Sequence, residues 1–164
     1  MGYDSTQDTI DHINIVRSFM LEASENIISR AMSHDESKLL PPEKALFDEQ
    51  TPKLKSLTYG SDEYKQALKD LKPALDNHYK LNSHHPEHYE NGVKDMNLFD
   101  LIEMLCDWKA ATLRHDDGDF DKSMAINKER FNIPDDLFVV LEKTALYMGL
   151  YRTEFEKYSL LNRE

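Results

Sequence analysis

The sequence predicts an all-α protein, and three observations carry that prediction. Apolar residues recur at steps of three and four through most of the chain. Only 5 Gly and 6 Pro occur in 164 residues, few for an all-β fold with its many turns. Hydrophobic content of 40% beside 31% charge belongs to a globular chain with a core, not to a disordered one. The length suits a single domain over residues 1–164, built as a helical bundle of about six helices.

The first helix, over about 6–32, shows Ile13, Val16, Met20, Ala23 and Ile27 at helical spacing, with Ser5 or Thr6 as its cap. At 100° per residue, His12 shares an arc with Ile15, Phe19 and Ala23 and is expected to face inward. It is then either a hydrogen-bonded core histidine or a ligand. A short helical turn over 34–39 carries His34 and Asp35, with Ser33 as N-cap and Asp35 and Glu36 at the positive end of the dipole. Pro41 and Pro42 open the next helix, to about 49. Pro52, Gly60 and Ser61 mark a loop over 51–61.

The helical period returns over 62–82 through Tyr64, Leu68, Leu71 and Leu75, and His78 and Asn82 continue that stripe. Pro73 is expected to kink or restart this helix. Residues 83–95 form a loop with His84, His85, Pro86, His88, Asn91 and Gly92, in which His88 reads as a solvated group. Over 97–115 a helix is apolar nearly all round, led by Leu98, Leu101, Ile102, Leu105 and Trp108. Its polar wedge, roughly 60° wide, holds Asp100, Glu103, Asp107 and Arg114 and faces either a polar interior site or a thin solvent seam. The acidic loop over 116–121 lacks the closing glutamate of an EF-hand and reads as solvated. Helices over 119–131 and 134–158 complete the bundle, the last with Leu137, Leu141, Thr144, Met148, Tyr151 and Phe155 at core spacing.

Bulk properties exclude several functions. A net charge of −11 argues against a sequence-independent grip on nucleic acid, which needs Lys and Arg to displace counterions. Cys106 is the only cysteine, so neither an internal disulfide nor a cysteine zinc site is available. No apolar run approaches the ~20 residues of a membrane span, and Asp4, Asp8 and Asp11 near the start do not resemble a signal peptide. A cytoplasmic protein is the expectation. What remains is a set of metal-ligand types on separate elements: His12, His34-Asp35, His84-His85 and Asp107. Imidazole and carboxylate are the donors divalent metals take, and a helical bundle can bring them together.

In order and type these residues resemble the HD-domain superfamily of metal-dependent phosphohydrolases, an all-α fold with His, then His-Asp, then Asp on successive helices. His34-Asp35-Glu36-Ser37-Lys38 is similar to the HD-x-x-K form of HD-GYP phosphodiesterases. His84-His85-Pro86-Glu87 followed by Gly92 is similar to their HHE…G run, which serves a second metal. Asp107-Trp108-Lys109-Ala110-Ala111 stands where the family has its last Asp. The resemblance covers about 12–115. No GYP follows the HH run, so a cyclic dinucleotide substrate is not implied. A small phage and bacterial family with the pattern HD…HHPEH…DW is also similar.

The resemblance implies an HD-like bundle with one divalent ion on His12, His34, Asp35 and Asp107. A second ion would sit on His84 and His85, bridged by Asp35, with His78 a further candidate. Mn, Fe, Mg and Zn are not distinguished. The implied reaction is attack of a metal-activated water on a small phosphoester, a nucleotide above all, with Asp35 and Lys38 catalytic. Lys38 and Arg114 would hold phosphate oxygens. Two alternatives share the ligands: a di-iron oxygenase, and a non-catalytic helical binding protein stabilised by its metal. The implied partner is the phosphorylated substrate, with no membrane, and the aromatic last helix leaves a homodimer open.

Overall fold

The computed structural model of the protein describes residues 2–57, 62–113 and 118–151, and among them there are six α-helices and no strand. The all-α expectation holds. The chain groups into two compact units, residues 1–36 and 37–164.

The first unit is dominated by α1 (Thr6–Ser33). Its apolar stripe is continuous, yet no residue of the helix is buried, and Ile13, Val16 and Met20 are all exposed. His12 is exposed as well, against the expectation that it faces inward. Angular arithmetic tells which residues share a face, not whether that face is covered. Ser33 closes α1 by donating its hydroxyl to the carbonyl of Ser29 at 3.1 Å, so it does not cap the next turn. Asp35 then adopts φ 59, the left-handed region that Asp tolerates better than most residues. A 3₁₀ turn, Glu36–Leu39, follows.

In the second unit α2 (Glu43–Ser56) runs through Pro52, past the end expected near 49. α3 (Asp62–Leu81) likewise continues through Pro73 instead of restarting there. Both Lys69, whose carbonyl loses its bond at that point, and Pro73 are exposed, so water can take the lost hydrogen bond. α2 packs on α3, whose inner stripe is Ala67, Leu71, Ala74 and His78, all buried. Two 3₁₀ turns, Pro86–His88 and Gly92–Asp95, then carry the chain to α4 (Leu98–Thr112). Gly92 at φ 60 supplies the left-handed residue that opens the second turn.

α4 starts with a capping box: Asn97 Oδ1 accepts from Asp100 N at 3.1 Å, and Asp100 Oδ2 accepts from Asn97 N at 3.0 Å. It buries Leu101, Met104, Leu105 and Trp108 against α5 (Phe120–Arg130) and α6 (Asp135–Tyr147). Leu98, Cys106, Ala110 and Ala111 are exposed, so this helix is not covered all round as its composition suggested. α6 stops earlier than expected. Gly149 at φ 73 turns the chain, with Leu150 N donating to Ala145 O at 2.9 Å and Gly149 N to Leu146 O at 3.0 Å. That is a Schellman ending, which a β-carbon at position 149 would oppose. Arg114, Asp116, Asp117 and residues 152–158 lie outside the described residues.

Candidate metal centre

Three histidines of the second unit converge. His78, His84 and His85 each bring a ring nitrogen within 4.8 Å of the other two. His78 is the last buried residue of the α3 stripe, while His84 and His85 come from the loop that follows. That loop is anchored tightly. Asn82 donates its amide to the carbonyl of His78 at 2.8 Å, Ser83 Oγ donates to Asp100 Oδ1 at 2.6 Å, and Tyr89 OH donates to Asp100 Oδ2 at 2.7 Å. Arg130 of α5 holds Glu87 at 2.7 Å. Asp100, expected to face the site, is instead the fastener that fixes the loop to the start of α4.

Two of the three imidazoles are oriented by carboxylates. His78 Nδ1 lies 3.0 Å from Oε2 of Glu43, and His84 Nδ1 lies 3.0 Å from Oε1 of Glu103. Glu43 is wholly buried and is also bonded by Asn77 Nδ2 at 2.8 Å and Ser37 Oγ at 3.1 Å. A carboxylate only accepts, so the proton of His78 belongs on Nδ1 and the lone pair on Nε2. That Nε2 stands 2.9 Å from Nε2 of His85. Either His85 donates across the gap, or a cation takes the place of that proton. Two nitrogens each ~2.1 Å from one ion, at about a right angle, would stand ~3 Å apart. The His84 and His85 rings, 4.1 Å between centroids, complete the cluster, and Tyr79 covers His85 from 5.0 Å. Burial, then Glu87, holds the Tyr79 phenol above its usual pKa.

The donor chemistry therefore suits a metal. Neutral imidazoles with Nδ1 bound to carboxylate are the arrangement in which a second group fixes both ring orientation and tautomer. These described residues could hold a metal ion; the type of ion is open.

The other expected ligands fall in different places. His34 and Asp35, 3.4 Å apart, end the first unit. His12 stands on the same unbroken helix more than 20 residues before His34, roughly 30 Å away at 1.5 Å per residue. It cannot share an ion with His34-Asp35, and that expectation is corrected: an apolar arc does not bring the two ends of one straight helix together. Asp107 is half-buried on α4, one turn beyond Glu103. Its charge is felt at Cys106, a surface residue whose sulfur is partly desolvated by its neighbours: that desolvation, then Glu103, then Asp107 raise the thiol pKa. His88 serves the end of α3, its Nδ1 2.9 Å from the carbonyl of Tyr79. Lys38 lies over the Phe47 ring, 5.7 Å from its centroid.

Glu43 escaped the sequence reading. An acid just after two prolines reads as a helix-start charge. The available signal was that Glu43, Leu46, Phe47 and Gln50 share one face of α2, an odd place for an unpaired acid. Glu103 was seen as part of the wedge but not as the partner of His84.

Residues 1–146 match the family model DUF5662, described as a family of unknown function. No curated protein and no solved structure matches the chain.

Proposed function

The chain belongs to the DUF5662 family, and we propose that it is a metal-dependent phosphohydrolase acting on a small phosphoester such as a nucleotide. The observation that carries the reading is the pair of carboxylate-bound imidazoles, Glu43–His78 and Glu103–His84, turned toward a third imidazole, His85. Buried histidines that serve only packing have no need of such convergence. The HD-x-x-K resemblance adds the phosphate chemistry.

In this reading His78, His84 and His85 bind the ion, and Glu43 and Glu103 hold two of them in the binding tautomer. His34 and Asp35 are ligands that the HD-like resemblance implies. Asp107 is the remaining carboxylate donor. A bound divalent ion lowers the pKa of water toward neutrality and offsets charge on phosphoryl oxygens. Lys38 and Arg114 hold the non-bridging oxygens, and the Tyr79 ring limits water beside His85.

The experiment is elemental analysis of protein purified without chelator, then a nucleotide and phosphomonoester hydrolysis screen with Mn²⁺, Mg²⁺ and Fe²⁺. At least one ion per chain and metal-dependent phosphate release are expected. Substoichiometric metal after reconstitution contradicts the centre. Dioxygen consumption with iron and no phosphate release would move the reading to an oxygenase.

A further inference from the structure

The helix α1 is built for a partner that its own unit does not supply. None of its 28 residues is buried. Ten large apolar side chains along it keep 38–76% of their surface exposed. At about 100 Å² apiece they amount to roughly 1,000 Å² of apolar surface, where a soluble monomer rarely leaves more than ~300–600 Å² in one patch. Helices in proteins are held chiefly by burying one face, and the β-branched Ile10, Ile13, Val16 and Ile27 lower the intrinsic propensity of this one.

The order of these residues says what covers them. Ile13, Val16, Met20, Ala23 and Ile27 fall at alternating steps of three and four, the a and d positions of a heptad seam whose knobs enter the holes of a like helix. Ile10 and Phe19 flank that seam. Away from it runs a polar strip of Asp11, Asn14, Ser18, Glu22 and Glu25. The strip carries acids and no Lys or Arg, the opposite of a helix that lies on an anionic lipid surface.

We propose that α1 pairs antiparallel with α1 of a second copy of this chain, making the protein a homodimer. The surface available on each helix exceeds the ~800 Å² that each partner gives to a standard interface. Charge sets the direction. A parallel pair would set Asp8 and Asp11 of the two copies side by side, whereas an antiparallel pair sends them to opposite ends, and it also opposes the two helix dipoles. In that arrangement a positions face d positions. Ile27 meets Val16 of the second copy, and Met20 meets Ala23, a large side chain against a small one. The pairing stands apart from the metal centre, so it neither needs nor tests the phosphohydrolase reading.

The test is sedimentation equilibrium of the full chain across micromolar concentrations, with twice the chain mass expected. Ile13→Asp and Met20→Asp each put a charge into the seam at a position exposed in the single chain, and each should weaken the dimer about 100-fold. Ser18→Asp, on the polar strip, should leave it unchanged. Emission of Trp108, the one tryptophan and part of the core of the second unit, should be the same in all four proteins, which separates loss of pairing from loss of fold. In a Cys106→Ser background, oxidation of a mixture of Val16→Cys and Ile27→Cys proteins should join the two to each other, while Ile27→Cys alone should not join to itself. A monomeric wild type overturns the proposal, whether its α1 lies on its own second unit or takes it to phosphatidylserine vesicles. So does a dimer that survives both aspartate substitutions, and self-joining of Ile27→Cys overturns the antiparallel pair.

Discussion

Two buried carboxylate hubs lie close together in the sequence of contacts around the histidine loop, and they differ in what they hold. Asp100 is wholly buried and accepts from a serine hydroxyl, a tyrosine hydroxyl and a backbone N–H. Each of those bonds ties a chain segment to the start of α4. Glu43 is equally buried, but it hands one of its bonds to an imidazole whose other nitrogen faces a third residue. Glu103 likewise bonds an imidazole, at Nδ1 of His84. A carboxylate that gathers hydroxyl and backbone donors fastens chain segments. One bonded to imidazole passes orientation and charge onward to whatever the far nitrogen meets.

The largest effect expected from this contrast is on stability. Asp100→Ala removes the buried acceptor of three part-buried hydrogen bonds and frees the histidine loop, so unfolding by urea should show a loss of about 3 kcal/mol. The loss should be of similar size in metal-free and metal-loaded protein. Glu43→Gln keeps the volume and one acceptor oxygen but weakens the hold on His78 Nδ1. Its main cost should be a Mn²⁺ affinity roughly 10- to 100-fold lower, read by titration calorimetry, with a smaller loss of metal-free stability than Asp100→Ala. A Glu43→Gln protein that is destabilised but binds metal normally would erase the distinction between the two hubs.

The smallest effect concerns Cys106, which neighbours both Glu103 and Asp107 in sequence. Partial desolvation of the sulfur and those two acids raise its thiol pKa, so less thiolate is present at pH 8 and alkylation by iodoacetamide should be slower than for a free thiol. Metal loading offsets the negative charge of the acids, returns the pKa toward its ordinary value and should speed the reaction a few-fold. Equal rates with and without metal would place the ion away from α4.

Much of the helical layout was legible in the sequence because period and caps are local. The capping box at Asn97 and the start of α5 at Asp119, which accepts from Lys122 N at 3.0 Å, are written in adjacent residues. The prolines misled, since the cost of Pro52 and Pro73 depends on whether the orphaned carbonyl meets water. Gly149 was passed over although a left-handed stop is what glycine supplies best. At the site, His78, His84 and His85 could be named from composition and proximity, whereas Glu43 lies 35 residues from the histidine it holds. Pairings across that distance are set by packing of α2 on α3. His12 failed for the opposite reason: residue type and order matched, but a continuous helix fixes the separation.

The central claim is that three imidazoles and their carboxylate partners form a metal centre. Anomalous diffraction from crystals grown with Mn²⁺ tests it most directly. The account predicts a peak within about 2.3 Å of ring nitrogens of His78, His84 and His85, strongest for the wild type and lost in His85→Ala. No peak at that position, with density confined to exposed surface carboxylates, would contradict it.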